Sequence, residues 1–465
     1  MKLCVIGTGY VGLTTGACLA AIGHDVVGTD SDVAKIAALN RGQLPIFEER
    51  LPEIVAAGVA AGRLTFTSDA PAAIAAAETI FICVGTPPDA DGKANLAAVE
   101  AAARQIAECA QGYRLVVGKS TVPVHTGAQL KRVLATHSRG RLEFDVASNP
   151  EFLREGTGVY DFFHPDRIVT GSDSERAAER LRAIYAPVLE GAFTCGWHRQ
   201  PAAVCGWKPP AWVATGITSA ELIKHASNSF LSMKISYANA IADICELADA
   251  DAGEVLHGLG LDRRIGSDFL RPGIGFGGFC FPKDLSAFIE MSAELGYDFR
   301  LLREVQQVNT RRCEQFVHKV REALWVLPGK TLGVLGLAFK AGTDDIRLSP
   351  ALNVVRELVR LGARVRAYDP QAMERTRAEL GGSIHYCSQA EEVADGADAI
   401  LILTEWPQFQ RADWAGMRER MGRPLVLDGR NLFTAGELER QGFEYHGVGR
   451  RAPRLAAAPV APVAP

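Results

Sequence analysis

The stretch Lys2 to Gly12, "KLCVIGTGYVG", constrains this chain most. A short apolar run ends in a glycine turn, and small and apolar residues suited to a helix follow. Gly7 allows the tight turn, Gly9 lets backbone approach a ligand closely, and Gly12 permits close packing of helix on strand. The pattern predicts a βαβ unit whose helix N-terminus faces a pyrophosphate. Asp30 closes the next run, "VVGTDSD", where an acid bonds the hydroxyls of an adenosine ribose and repels a 2′-phosphate. NAD is therefore expected rather than NADP. Lys35 is a candidate for the same ribose, with a solvated helix lysine as the alternative.

Further apolar runs, "TIFICVG", "RLVVGKST" and "FDVASNP", alternate with Ala-rich helical stretches, and a second such pattern starts near residue 330 with "KTLGVLGLAF", "ARVRAYDP", "DAILILTEW" and "RPLVLDGRN". Near-continuous apolar strands bounded by helices predict parallel sheets covered on both faces. Between them, Ser219 to Ala250 carries apolar residues at helical spacing without proline, about nine turns. The expected fold class is α/β, with two Rossmann-like doubly wound domains joined by a long central helix and a helical middle domain. The expected boundaries are 1–210 for the N-terminal NAD-binding domain and 211–325 for the helical, dimerising middle. The C-terminal Rossmann-like domain is expected over 326–450, and a disordered Ala/Pro tail over 451–465. Gly191 to Gly216, rich in Pro, Trp and Gly, reads as an irregular surface excursion, and its repeated "CGW" as coincidence.

A net charge of −4 gives no electrostatic reason to expect nucleic acid or an anionic membrane. The N-terminus shows no secretory signal, and no run approaches the roughly 20 apolar residues of a membrane span. A cytoplasmic location is expected by elimination. The ten cysteines are scattered, without CxxC or a Cys/His metal spacing, so neither a disulfide framework nor a metal site is expected. Cys195 and Cys205 are the one pair considered for a disulfide.

Two further features carry chemistry. Lys224 and Asn228, four apart in a helical pattern, share one face among apolar neighbours. A lysine held there is either functional or an ordinary surface lysine. In "GFGGFCFPKD", Cys280 follows a glycine-rich turn and precedes Lys283 and Asp284. On chemistry alone it is either a buried structural thiol or a nucleophile that nearby cations activate, with Asp284 accepting a proton.

Taken in order, "VIGTGYVGLTTGACLA", "VGTPP", "KSTVPV", "SNPEFLREG", "SAELIKHASNSFLSMKI", "DRRIG", "GFGGFCFPKD", "GLAFKAGTDDIR" and "LVLDGRNLF" resemble the UDP-glucose/GDP-mannose dehydrogenase family of nucleotide-sugar 6-dehydrogenases over nearly the whole chain. The resemblance implies a four-electron, NAD-dependent oxidation of UDP-glucose to UDP-glucuronate through a cysteine thiohemiacetal and thioester, with UDP bound by the C-terminal domain. The same chemistry on GDP-mannose or a UDP-N-acetylhexosamine is the alternative, and a non-catalytic nucleotide sensor a remote one.

By that resemblance Cys280 is the nucleophile, Lys224 and Asn228 stabilise oxyanions, and Asp284 works through a water. Thr121 and Glu155 position water and move protons, with Glu151 supporting them. Val11, Thr86, Thr121, Glu155, Lys283 and Arg347 are implied near the cofactor, beside Gly7, Gly9, Gly12, Asp30 and Lys35. For the sugar nucleotide the resemblance implies Glu151, Phe152, Leu153, Arg154 and Glu155, together with Lys224 and Asn228. It adds Phe269, Leu270, Arg271, Pro272 and Gly273, then Gly277, Lys340 and Arg430. Arg264 is implied to cross to the sugar site of a neighbouring subunit, so a homodimer is expected. Three features depart from the family pattern: Phe279 stands where serine is usual, His125 where glycine is usual, and the Gly191–Gly216 segment is longer than expected.

Overall fold

The structure is a computed structural model that describes residues 1–89, 92–434 and 436–450. The Ala/Pro tail expected from residue 451 lies outside the described residues. The chain divides into two compact units: Met1–Ser229 with Lys283–Asp298, and Phe230–Pro282 with the chain from Phe299 on.

The first unit is built on an eight-stranded sheet, ordered Ala211–Thr215, Arg167–Ser172, Phe144–Ser148, Arg114–Gly118, Thr79–Ile82, Lys2–Ile6, Asp25–Thr29 and Leu64–Thr67. The six strands from Phe144–Ser148 to Leu64–Thr67 are parallel, whereas Arg167–Ser172 runs antiparallel to Phe144–Ser148. Both faces are covered, which is why Thr79–Ile82 is buried along its whole length and reads as a continuous apolar run. Strand order reverses between Lys2–Ile6 and Thr79–Ile82. In such sheets ligands sit beyond the carboxyl ends at this point.

Part of the segment expected to be irregular is a strand. Ala211–Thr215 pairs in parallel with Arg167–Ser172 at the sheet edge. Its run "AWVAT" is short and follows two prolines, so turn composition masked a β-branched, aromatic edge strand. Upstream, Thr194–Cys195 and Gln200–Pro201 pair as a two-residue hairpin. No cysteine forms a disulfide among the described residues. No metal spacing is legible in the sequence, yet Cys195, His198 and Cys205 converge with His164. His164 lies 31 residues upstream of Cys195, beyond the reach of a local pattern.

The second unit holds a six-stranded, wholly parallel sheet with the order His385–Tyr386, Arg364–Tyr368, Thr331–Leu335, Ala399–Ile402, Leu425–Asp428 and Glu444–Gly447. Its switch point falls between Thr331–Leu335 and Ala399–Ile402. Gly336, at φ 97°, makes the turn there, and a Cβ on it would lie 2.3 Å from Thr404 Cβ. Helix Arg300–Leu324 buries Phe316, Val317, Val320 and Leu324 in the core beneath this sheet. The long helix Ile217–Ala248 passes from the first unit to the second after Ser229. Among the described residues no helix is long and apolar enough to cross a membrane.

Candidate active site

The glycine turn shows three different reasons for glycine. Gly7 has φ 97°, and a Cβ there would sit 2.8 Å from the Cys83 carbonyl oxygen. A Cβ on Gly12 would lie 1.8 Å from the Gly7 carbonyl oxygen, so helix and turn touch. Around Gly9, which caps helix Tyr10–Ala21, a Cβ would meet nothing within 4 Å. That open space at a helix N-terminus fits a dinucleotide pyrophosphate. Asp30 accepts from Thr8 N and Thr8 Oγ1 at 2.9 Å and from Lys35 Nζ at 2.8 Å. Burial would raise its carboxyl, but the Lys35 and Thr8 hydrogen bonds outweigh this and hold it below the ordinary value. Asp30 is thus an ionised acceptor, and Lys35 is its ion-pair partner. Val11 packs against the apolar core.

Tyr10, the variable residue of the glycine motif, ties the turn to the Glu151–Gly156 loop. Its hydroxyl lies 2.7 Å from Glu48 Oε2 and 2.9 Å from the Arg154 carbonyl oxygen. Glu48 also accepts from Gly156 N at 2.7 Å and Val159 N at 3.3 Å. Gly158 makes room for this, since a Cβ there would lie 2.3 Å from the Tyr10 hydroxyl. Neither Tyr10 nor Glu48 stood out in the sequence, because Glu48 is one acid in a loop and the motif leaves position 10 open.

At the carboxyl edge of the sheet two buried polar groups meet. Lys224 Nζ donates to Glu151 Oε1 at 2.9 Å, both side chains being 6% exposed. Glu151 Oε2 accepts from Leu153 N at 2.7 Å, and the Phe152 ring lies 5.3 Å from Lys224 Nζ. One turn along the helix, Asn228 Nδ2 donates to Asp284 Oδ2 at 2.6 Å, and Lys283 Nζ donates to Asp284 Oδ1 at 2.6 Å. Lys283 also lies 3.4 Å from Thr86 Oγ1, which donates to the Thr121 carbonyl oxygen at 2.9 Å. Burial would raise the Asp284 carboxyl, yet the charges of Lys283 and Lys224 hold it below the ordinary value. The structure therefore brings Glu151, Lys224, Asn228, Lys283, Asp284, Thr86 and Thr121 together within the first unit. Glu155 is half-buried in the same loop. Arg154 turns elsewhere, onto Asp161 at 2.6 Å.

Glu221 and Lys119 are buried polar residues that sequence reasoning missed. Lys119, of "KSTVPV", reaches Asn149 Oδ1 of "SNPEF" at 3.1 Å and so joins the two strand ends. Glu221 accepts from His125 N at 2.8 Å and Gly127 N at 2.7 Å, which caps helix Thr126–His137. His125 there takes φ 71°, the left-handed region where glycine is least strained. Burial pushes the Glu221 carboxyl up to about 7, against the lowering effect of its two backbone hydrogen bonds.

A raised folded value favours the folded state at low pH. The contribution is complete below the ordinary value of 4.5 and is lost as pH rises through about 7. Over that interval it amounts to about 3 kcal/mol at about 1.4 kcal/mol per pH unit. Glu221→Gln is therefore expected to lose less stability than the native protein between pH 4.5 and 7.5 in urea unfolding. Parallel pH profiles would contradict this assignment.

In the second unit, Cys280 is the first residue of helix Cys280–Glu294 and is half-buried. Phe281 packs against Phe269 and Phe276, with ring centroids 6.1 and 6.0 Å away. The glycines before the cysteine are closely packed. Cβ atoms on Gly275, Gly277 and Gly278 would lie 2.8 Å from Asn309 Oδ1, 2.3 Å from the Leu348 carbonyl oxygen and 2.7 Å from the Phe339 ring. Their missing side chains face protein, so packing requires glycine at these positions. Phe279 lies under Arg347, whose guanidinium carbon is 4.4 Å from its ring centroid, while Arg347 pairs with Asp345 at 2.6 Å.

The Phe269–Gly273 loop is anchored where Gly273 N donates to Asn239 Oδ1 at 2.8 Å and Arg312 Nε donates to the Gly273 carbonyl at 3.0 Å. Arg271 is exposed, while Leu270 and Pro272 are buried. Lys340 lies over Phe339, with Nζ 5.8 Å from its ring centroid. Arg264 forms a fork with Asp262 and leaves its side chain 87% exposed.

Arg430 is anchored by main-chain carbonyls. It donates to the carbonyls of Leu403, Gly275 and Phe339 at 2.9, 3.0 and 3.1 Å, pinning the cysteine loop to the sheet edge. Arg430→Ala is expected to destabilise the protein by on the order of 3 kcal/mol, by stranding these carbonyls. Urea unfolding would measure this. Unchanged stability with a raised KM for the sugar nucleotide would instead place Arg430 on the ligand.

Comparison with known proteins agrees with this arrangement. The NAD binding domain of the UDP-glucose/GDP-mannose dehydrogenase family matches residues 1–189, its central domain 218–311 and its UDP binding domain 333–435. The chain is 43% identical to UDP-glucose 6-dehydrogenase TuaD of Bacillus subtilis, covering 97% of this chain and 94% of that protein. It is 44% identical to UDP-glucose 6-dehydrogenase of Rhizobium meliloti, covering 97% and 100%. Among solved structures, a UDP-glucose dehydrogenase from Pyrobaculum islandicum superposes with TM-score 0.86 at 39% identity, covering 96% of this chain and 97% of that one. A UDP-D-ManNAc dehydrogenase from Pyrococcus horikoshii gives TM-score 0.81 at 29% identity, covering 97% and 99%. The glycine turn, the buried Lys224–Glu151 and Asn228–Asp284 pairs and these full-length matches make the chain an NAD-dependent oxidoreductase that belongs to the UDP-glucose/GDP-mannose dehydrogenase family.

Proposed function

We propose that the protein oxidises UDP-glucose to UDP-glucuronate in two hydride transfers, with Cys280 as the covalent nucleophile. The observation that carries this reading is the buried cluster of two lysines, two carboxylates and Asn228 around the carboxyl edge of the first sheet. Buried charges are costly unless paired, and a simple two-electron alcohol oxidation has no need of so many. Bound NAD supplies the hydride acceptor for each oxidation.

Asp284, held ionised, takes the proton of the C6 hydroxyl through a water, and the Lys224 ammonium stabilises the alkoxide. After the first hydride leaves C6, the Cys280 thiolate adds to the aldehyde carbon. A C–S bond forms, and the carbonyl electron pair goes to oxygen, beside Lys224 and Asn228. Loss of the second hydride gives a thioester. Water, positioned by Thr121 and Glu155 and deprotonated through Asp284, adds to it and breaks the C–S bond, releasing the carboxylate and restoring the thiol. The balance is one alcohol, two NAD and one water to one carboxylate, two NADH and three protons.

Helix placement supports this use of Cys280. It precedes Lys283 by three residues and Asp284 by four in one helix, the spacing that shares a face. UDP-glucose is preferred because the relatives above at about 40% identity carry that substrate in their names. A second reading, another nucleotide sugar, draws on Phe279 stacked with Arg347 where the family usually has serine. An initial-rate panel of UDP-glucose, GDP-mannose and UDP-N-acetylhexosamines separates them. The expected preference for UDP-glucose in kcat/KM is about 100-fold or more, and a preference for another sugar would replace this assignment.

A homodimer is part of the proposal. On the second unit's share of the long helix, Phe230, Tyr237 and Ile244 recur every seven residues and are 57%, 52% and 58% exposed, with Leu247 at 88%. Seven residues are two helical turns, so these side chains form one apolar stripe that a second copy would cover. The exposed Arg264 fits the role of reaching the partner's sugar. Ile244→Glu with Tyr237→Glu is expected to give a monomer by light scattering with activity reduced. A native-sized oligomer would refute this interface.

A further inference from the structure

We propose that His164, Cys195, His198 and Cys205 form a tetrahedral site for one zinc-class divalent ion, which fastens the excursion after Gly191 to the helix that precedes His164. The four ligand atoms all lie within 4.8 Å of one another. His164 Nε2 is 3.2 Å from Cys195 Sγ and 3.7 Å from Cys205 Sγ, and His198 Nδ1 is 3.5 Å from Cys195 Sγ. With zinc bonds of about 2.3 Å to sulfur and 2.0–2.1 Å to nitrogen, a tetrahedron has N···S edges of about 3.6 Å. These three separations bracket that edge.

Donor chemistry points the same way. Two thiolates and two imidazoles suit a borderline-soft cation, and a closed set of four is the structural rather than the catalytic kind. The two imidazole planes stand at 87° with centroids 5.1 Å apart, so their nitrogens converge on a shared point rather than stacking. Tyr160 lies flat on His164 at 4.6 Å and 11°, fixing the ring, as partners around a metal ligand commonly do.

Local backbone fits a metal turn. Cys195-Gly-Trp-His198 folds with Arg199 N donating to the Cys195 carbonyl at 2.7 Å. The N–H groups of His198 and Trp197 also point at the Cys195 sulfur, a smaller effect than the burial that raises this thiol above its ordinary value. Cys205 is followed by Gly206 at φ 78°, a second tight turn. The repeated "CGW" thus marks the two sulfur-bearing turns. Cys195 is fully buried while His198 is exposed, leaving a path for the ion.

Such a clamp would reinforce the excursion, where Thr194–Cys195 and Gln200–Pro201 pair over two residues each. Its anchor is significant. His164 follows helix Gly158–Phe163, whose preceding loop carries Glu151 and Glu155. Uptake of the ion by the thiol form releases the two cysteine protons to solvent, so affinity falls at low pH.

The test uses the full-length protein without a histidine tag, purified from zinc-supplemented cells without chelator. Elemental analysis is expected to find about one zinc per chain, the stoichiometry of a closed four-ligand site. Protein stripped by chelator and reduced is then titrated with Co²⁺. Native protein should develop the visible bands of tetrahedral cobalt and near-ultraviolet thiolate charge transfer, with a higher Tm. Cys195→Ser and Cys205→Ser should each lose both signals, while Cys109→Ser keeps them. Absence of zinc together with no cobalt spectrum in the reduced native protein would overturn the site. So would zinc retained in the Cys195→Ser/Cys205→Ser double variant, or a Cys195–Cys205 disulfide found in the freshly isolated protein.

Discussion

Cys280→Ser is expected to lose at least about 10³-fold in the rate of UDP-glucuronate formation, because a serine hydroxyl is a weak nucleophile without a dedicated base. The loss should fall on the chemistry and spare the cofactor. Gly9, Asp30 and the helix beginning at Tyr10 are all in the first unit, whereas Cys280 belongs to the second. NAD affinity by calorimetry is therefore expected to stay within about twofold, well under the tenfold that 1.4 kcal/mol would give. Trace release of the aldehyde, trapped with a hydrazine, would accompany the loss. A serine variant that makes uronate at near-native rates would remove the covalent step from the account.

Lys224→Met is the second large effect. It removes the ammonium from the oxyanion, expected to cost about 10²–10³ in kcat, as removal of an oxyanion donor does elsewhere. It also strands Glu151, which shares its burial and its 2.9 Å contact. Breaking a buried pair on one side costs about 3–5 kcal/mol. The two effects separate in Lys224→Met/Glu151→Gln, where a neutral amide can still accept from Leu153 N. Stability is expected to recover while kcat does not. Recovery of both would make Lys224 a structural cation only.

Much of this arrangement was legible in the chain. The glycine turn, the parallel strands and the long helix are local patterns, and each follows from spacing within a few residues. Asp30, Lys224, Asn228 and Asp284 were found because each lies at a strand end or on a helix face with a readable period. Glu48, Glu221 and Lys119 were not, since each acts through a partner tens of residues distant: Glu221, 96 positions from His125, caps the helix that starts at Thr126. The glycine-rich turn before Cys280 was legible, but not the residues it packs against, Leu348 and Phe339, which lie tens of residues further on. Arg430 was legible only through the family resemblance, and its three carbonyl partners come from distant parts of the chain. The same limit hid the His164–Cys205 cluster, because composition records cysteines and histidines but not their convergence.

The central claim is a four-electron oxidation carried through a covalent intermediate on one cysteine. Its most direct measurement is NADH formed per UDP-glucose consumed, with limiting sugar and excess NAD. Two NADH per sugar with UDP-glucuronate as the product is the predicted result. One NADH per sugar, with the 6-aldehyde accumulating, would contradict the account.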